Sequence, residues 1–130
     1  MSIFKKKEYS AERSATRMAR ALAVMGALHF IVPDPFDSIV PKYLPGPAHA
    51  YTHASGAAEL GTAALLANDK TRRAGGLLAA LLFVAVFPAN IQMALDARHQ
   101  SAQRKAIAYA RLPLQLPLIC NALKIWRHSK

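Results

Sequence analysis

Residues 74–95, AGGLLAALLFVAVFPANIQMAL, form the longest stretch of the chain without an Asp, Glu, Lys or Arg side chain. At about 1.5 Å rise per residue, a helix of this length covers about 33 Å, close to the hydrocarbon thickness of a bilayer. The stretch therefore predicts a membrane-spanning helix. The whole chain has 130 residues, of which 53% are hydrophobic, so it is long enough for one domain with its own core.

Three further apolar runs flank this stretch: residues 18–32, 48–67 and 107–126. Each contains at least one ionisable group, but none has the broad charged face of a soluble amphipathic helix. We therefore predict an all-α fold, a four-transmembrane-helix bundle in one domain over residues 14–130. Its helices are expected near 14–32, 48–67, 74–95 and 107–126, after a polar tail at residues 1–13. A cleaved signal peptide is not expected, because no small-residue cleavage site follows the first run.

The basic residues give the predicted orientation. The formal net charge is +10, and the Lys and Arg residues cluster at the ends of the apolar runs. Twelve of them lie on the side of the two termini and of the 68–76 connection, four lie on the other side, and Arg111 lies inside the last run. By the positive-inside rule both termini are cytoplasmic. No basic patch is interleaved with aromatic residues, so we expect the lipid bilayer as a partner and no nucleic acid.

The predicted outer connection between helices 1 and 2, PDPFDSIVPKYLPGP at residues 33–47, holds five prolines. Phe36, Ile39, Val40, Tyr43 and Leu44 follow a helical spacing within it, and proline at 41 interrupts that spacing. We predict two short turns at the outer interface, which can act as a lid. Two pairs of small residues, Ala57 with Gly61 and Gly76 with Ala80, predict close helix approaches.

Polar side chains inside the apolar runs form the candidate site, because an ionisable group at bilayer depth costs about 2.5 to 3.5 kcal/mol and needs a partner. His49, Thr52, Ser55, Glu59 and Thr62 share one face of the second helix. His29, Asn90, Arg111 and Gln115 lie toward the outer ends of the other three helices. We predict a polar pocket open to the outer side, with these ligand-binding residues: His29, Glu59, Asn90, Arg111 and Gln115.

Two alternatives stay open for Arg111: an ion pair with Glu59, or snorkelling of its guanidinium to the headgroups. The prolines at 88, 113 and 117 each remove one backbone hydrogen bond and free a carbonyl beside the pocket. A metal site is not expected. His49 and His53 have a chelating spacing, but the chain lacks an HExxH motif and has a single cysteine, Cys120, which is interpreted as an apolar filler.

Five segments in order, GALHFIVPDPFDSIVPKYLPGP, SGAAELGTAALL, TRRAGG, FPANIQMAL and RLPLQLPLI, resemble the DoxX-type family of small bacterial four-helix membrane proteins. The resemblance runs from about residue 18 to 126. It implies a multi-pass protein of the bacterial cytoplasmic membrane, associated with quinone- or thiol-linked redox complexes and oxidative-stress defence. It implies no catalytic residue set, so whether the protein is an enzyme stays open. No cofactor site of the haem, iron–sulfur or flavin type is expected.

Three hypotheses for the function follow. The first is a membrane component of a redox system, with other subunits of that system as partners, that binds a quinone-like or other amphipathic molecule in the pocket. There Arg111, Gln115 and Asn90 bind its head, while Glu59 and His29 exchange protons. The second is a non-catalytic partner or assembly factor whose buried polar groups are structural. The third is a small-solute transporter, which would need an oligomer of this chain because no duplicated halves are present.

Overall fold

The computed structural model describes residues 2–38, 40 and 42–129. The predictions made for Ile39 and for proline 41 therefore lie outside the described residues. The described chain is all-helical and contains no strand, which confirms the predicted class. Its helices are α1 (Ile3–Ile31), α2 (Asp34–Asp37), α3 (Ala48–Ala67), α4 (Arg72–Ala85), α5 (Phe87–Ala97) and α6 (Ala102–His128).

Two helices begin earlier than the sequence predicted. Helix α1 begins at Ile3, after an N-cap in which the Ser2 hydroxyl accepts the backbone N–H of Lys5 at 3.3 Å. Residues 3–13 therefore continue the first helix, whereas the sequence predicted a separate tail. Helix α6 begins at Ala102, where Ser101 caps the N–H of Arg104 in the same way. Serine caps of this kind satisfy backbone donors that have no partner inside the helix.

Proline acts differently in the two apolar helices. The predicted helix 74–95 is divided into α4 and α5 at Val86. Pro88 has no N–H to donate to the carbonyl of Val84, and its ring crowds the preceding turn, so the helix is interrupted there. Helix α6, by contrast, continues without interruption through Pro113 and Pro117.

The hydrophobic core is built mainly from short side chains on α1, α3, α4 and α6. We call it the alanine core: Ala15, Met18, Ala19, Leu22, Ala63, Leu66, Ala79, Ala80, Phe83, Ala122 and Ile125. Gly76 permits the contact of α4 with α6, because a Cβ there would lie 2.7 Å from the backbone nitrogen of Trp126. The close approach predicted at Gly76 and Ala80 is therefore confirmed.

A second close approach joins α1 to α3 and positions the candidate site. A Cβ on Gly56 would lie 2.8 Å from the Cβ of His29, and a Cβ on Gly26 would lie 3.0 Å from the Gly56 carbonyl oxygen. The close approach predicted at Ala57 and Gly61 was wrong: both residues are exposed, and a Cβ on Gly61 would meet no atom within 4 Å. The neighbouring Gly56 takes that role, because it lies on the face of α3 that is turned toward α1.

Two helical stretches of the described chain are long and apolar enough to cross a membrane, residues 72–97 and 102–128. In their most apolar windows only 33% and 17% of the residues are buried. The apolar side chains of these helices therefore lie mostly on the outside of the bundle. Leu81, Val84, Leu114 and Leu116 are each more than half exposed.

Candidate functional site

A cavity of about 450 Å³ lies between the helices, beneath the proline-rich segment 33–47 that we call the lid segment. All the larger helices and the lid segment contribute to its wall. We call it the lid cavity, and its lining is Met25, His29, Phe36, Val40, Tyr43, Leu44, Tyr51, Thr52, Ala54, Ser55, Glu59, Leu82, Ala85, Val86, Pro88, Ala89, Asn90 and Arg111. Four of the five predicted site residues, His29, Glu59, Asn90 and Arg111, are thus brought to one cavity.

His29 and Glu59 face each other across the α1–α3 contact. The two side chains are only 8% and 11% exposed, and His29 Nε2 lies 3.6 Å from Glu59 Oε1. His29 Nδ1 lies 2.6 Å from the carbonyl oxygen of Met25. Because a carbonyl can only accept, Nδ1 carries a proton and donates it to Met25. The second carboxyl oxygen, Glu59 Oε2, is buried and has no hydrogen-bond partner in the described chain.

Asn90 and Arg111 bring further hydrogen-bonding groups to the cavity from α5 and α6. Asn90 is only 3% exposed and Arg111 is half-buried. Neither side chain hydrogen-bonds to another residue in the part of the chain that the structure describes. Arg111 also lies more than 4.0 Å from the carboxyl oxygens of Glu59, so the first of its two alternatives, a direct ion pair, is not formed. The carboxyl group of Glu59 has His29 as its ionisable partner.

Gln115 lies apart from the other predicted site residues. It is one turn further along α6 than Arg111, it is 5% exposed, and its Nε2 donates to the carbonyl oxygen of Phe83 at 2.8 Å. This hydrogen bond ties α6 to α4 beside the alanine core. The structure therefore places Gln115 in helix packing and not in the wall of the lid cavity.

The lid segment is attached to the bundle by an aromatic stack and by hydrogen bonds. The ring of Phe36 stacks on His29 with centroids 3.8 Å apart. Thr52 donates its hydroxyl to one oxygen of Asp37, and His49 Nδ1 lies 3.3 Å from the other. The hydrogen bond from Thr52 holds the pKa of the Asp37 carboxyl below its ordinary value, against the desolvation that would raise it, and His49 acts in the same direction as Thr52.

The histidines at the start of α3 contact aromatic and acidic neighbours. His53 stacks on Phe30 with centroids 5.0 Å apart, and its ring meets the edge of His49 at 3.9 Å. Within the described residues, no group of three or more His, Cys, Asp or Glu side chains is close enough to hold a metal ion.

Thr52, Ser55 and Phe36 are among the cavity-lining residues that were not predicted to bind a ligand. Thr52 and Ser55 belong to the polar face of α3, so their three- and four-residue spacing from Glu59 was the available signal. Phe36 had a weaker signal, the helical spacing inside the lid segment. Its stacking on His29 depends on how the chain returns from α1 to α3, which periodicity does not specify.

Comparison with known proteins assigns the chain to a family. Residues 18–126 match the model of a family described as a domain of unknown function, DUF8561. The chain belongs to the DUF8561 family. The match covers all the cavity-lining residues, so the lid cavity lies wholly inside the DUF8561 region. No curated protein matches the chain, and no solved structure matches it. The resemblance to the DoxX-type family stays a prediction.

Proposed function

We propose that this DUF8561 protein is an integral membrane protein that crosses the bacterial cytoplasmic membrane four times, with both termini inside. The support is the outward-facing apolar surface of residues 72–97 and 102–128, together with the twelve basic residues that the sequence assigns to the side of the two termini. Exposed apolar surface on this scale is unfavourable in water and favourable in lipid. Helices α1 and α3 are less apolar, and they complete the bundle by packing on each other and on the two apolar stretches.

We further propose that the protein binds an amphipathic small molecule in the lid cavity. The observation that carries this proposal is the composition of the wall, which is mainly apolar and contains polar groups without protein partners, among them Glu59 Oε2 and the side chains of Asn90 and Arg111. A volume of about 450 Å³ is within the range of small-molecule sites, which combine apolar walls with few polar groups. A quinone-like molecule, bound by a membrane component of a redox or oxidative-stress system, is the specific form of this proposal.

One observation favours a different function, that of a non-catalytic partner or assembly factor. The Gln115 amide donates to the Phe83 carbonyl and so joins α6 to α4, and the His29–Glu59 contact joins α1 to α3. If every polar group of the bundle acted in this way, the lid cavity would be a packing defect filled by lipid chains or water. The protein would then act through its surface.

The test is native mass spectrometry of the protein extracted gently from its own membrane, with extraction of the bound molecules in parallel. Ala89 lines the cavity, so Ala89→Trp fills it, whereas Ala110→Trp adds the same side chain at an exposed position of α6. We expect a stoichiometric small molecule on the wild type and on Ala110→Trp, and its loss from Ala89→Trp. A wild-type protein that carries no small molecule but retains a second polypeptide would favour the partner function instead.

A further inference from the structure

The lid cavity contains a permanent cation that forms no ion pair within 4.0 Å in the described chain. Arg111 keeps its charge at any physiological pH, since a guanidinium does not deprotonate in proteins. Glu59 is the one acidic side chain among the described residues of the wall, and it contacts His29 instead of Arg111. Asp37 is absent from that lining, and its carboxylate is engaged by Thr52 and His49.

The His29–Glu59 pair does not neutralise Arg111, because the pair itself carries a proton. Nδ1 of His29 donates to Met25, so Nε2 of a neutral His29 presents a lone pair to Glu59 Oε1 at 3.6 Å. Two acceptors that face each other in a buried site repel, and one proton between them converts the contact into an attraction. With that proton, on either the imidazole or the carboxyl group, the net charge of the pair is zero.

The side-chain N–H groups of Arg111 and Asn90 donate to no residue of the described chain. The guanidinium of Arg111 offers five N–H donors, and the nearly buried amide of Asn90 offers two more. A carboxylate or phosphate oxygen matches such donors, because charge-assisted hydrogen bonds from arginine are short, strong and often bidentate. The apolar lining supplied by the lid segment and α4 is suited to a hydrocarbon tail.

We infer that the lid cavity selects an amphipathic molecule whose head carries one negative charge, with Arg111 and Asn90 bound to the head and the apolar lining around the tail. The inference rests on the proposed binding function and specifies its ligand class: acidic heads above neutral ones. Two sources share this chemistry, a free single-chain acid and an anionic phospholipid of the surrounding bilayer.

The experiment compares dodecanoate with 1-dodecanol, which have the same chain but a charged and a neutral head. Both are titrated against the purified full-length protein in a nonionic detergent at about pH 8, where a carboxylate is ionised. Native mass spectrometry reports the bound fraction. We expect the wild type to bind dodecanoate about tenfold or more tightly than 1-dodecanol, the ratio that one charge-assisted hydrogen bond provides.

Variants of Arg111 test whether the preference for dodecanoate over 1-dodecanol depends on its guanidinium. Arg111→Gln should bring the ratio to about one, and Arg111→Lys should keep part of it, because the charge remains but the planar set of donors is lost. Arg98→Gln is the matched control, since Arg98 is an exposed arginine at the end of α5. It removes the same charge away from the cavity and should leave the ratio unchanged. If Arg111→Gln does not fold, the wild-type ratio and the Arg111→Lys variant still test the inference.

The outcomes separate the ligand class from the proposed function. Equal affinity of the wild type for the two probes, with both lost in Ala89→Trp, would overturn the acidic-head inference and keep the binding function. Absence of any cavity-dependent binding would overturn both. Displacement of dodecanoate by phosphatidylglycerol, but not by phosphatidylcholine, would support the inference and identify the bilayer as the source of the acid.

Discussion

The alanine core and the lid cavity share helices α1, α3, α4 and α6, but they differ in their polar side chains. Those beside the core are hydrogen-bonded within the protein, whereas several in the cavity wall are not. Beside the core, Gln115 donates to Phe83, and the buried hydroxyl of Thr62 donates to the carbonyl of Ala58 at 2.7 Å. In the wall of the cavity, the side chains of Asn90 and Arg111 have no hydrogen-bond partner in the described chain, and Glu59 Oε2 is buried there without one. A buried polar group without a partner costs free energy, so these are the groups on which the proposed ligand binding rests.

The largest change in unfolding free energy should come from one methyl group added at the α4–α6 contact. In Gly76→Ala the new Cβ would lie 2.7 Å from the Trp126 backbone nitrogen, and a backbone cannot move aside cheaply. We expect a loss of about 2 to 3 kcal/mol in unfolding free energy. Gly61→Ala is the matched control, because its Cβ would meet no atom within 4 Å. It should be neutral or stabilise the helix by up to about 1 kcal/mol. Chemical unfolding in mixed micelles measures both, and equal effects would contradict the assigned α4–α6 contact.

The second comparison tests the proton of the His29–Glu59 pair. Glu59→Ala leaves His29 Nε2 without a partner and should cost about 2 kcal/mol. Glu59→Gln supplies an amide N–H to the same nitrogen, so it should cost less than about 1 kcal/mol if the shared proton lies on the carboxyl group. The same unfolding assay separates the two variants. A Glu59→Gln variant as unstable as Glu59→Ala would show that a carboxyl group is required, as in an imidazolium–carboxylate pair.

The third comparison sets two buried amides against each other. Gln115→Leu removes the hydrogen bond to the Phe83 carbonyl and should lower the unfolding free energy by about 1 kcal/mol. Asn90→Leu removes an amide that has no partner in the described chain, so it should leave stability unchanged or raise it slightly. Ligand binding should respond in reverse, with loss in Asn90→Leu and retention in Gln115→Leu. A marked destabilisation by Asn90→Leu would assign that amide to packing.

The smallest change in stability should be the pH-dependent one that comes from Asp37, which attaches the lid segment to α3. Because Thr52 and His49 lower the pKa of Asp37 in the folded protein, ionised Asp37 stabilises the fold above the pKa of the unfolded chain, about 4. That contribution is lost as the pH falls through the lower folded-state pKa. The stability difference between the wild type and Asp37→Asn should therefore persist from neutral pH down to about 5 and vanish in more acidic solution. Thermal melting at a series of pH values measures it, and a difference independent of pH would contradict the assignment.

The sequence predicted the features that depend on local periodicity. The polar face of α3 placed Thr52, Ser55 and Glu59 together because three- and four-residue spacings return to one side of a helix. The same reasoning failed where the choice lay between neighbouring small residues: Gly56 and Gly61 are both flexible and small, and only the position of α1 decides which one is buried. Periodicity alone also grouped Gln115 with Arg111, although the two side chains lie one turn apart and meet different neighbours.

Contacts between segments far apart in the chain could not be predicted from helical spacing. The pairing of Asp37 with Thr52 and the stacking of Phe36 on His29 depend on the path of the lid segment, whose prolines restrict the chain without specifying its direction. One of the two alternatives left open for Arg111, an ion pair with Glu59, is not formed for a related reason. Helical spacing does not specify which ionisable group reaches Glu59, and the close approach at Gly26 and Gly56 brings His29 to it.

Cys120, interpreted from the sequence as an apolar filler, is in fact exposed on α6. Because it is the single cysteine of the chain, a nitroxide reagent would attach there without any change to the protein. Collision of that nitroxide with oxygen, which concentrates in hydrocarbon, and with a water-soluble nickel chelate, which does not, reports its depth in a bilayer. A label on this native cysteine therefore measures how deep the exposed face of α6 lies in the bilayer.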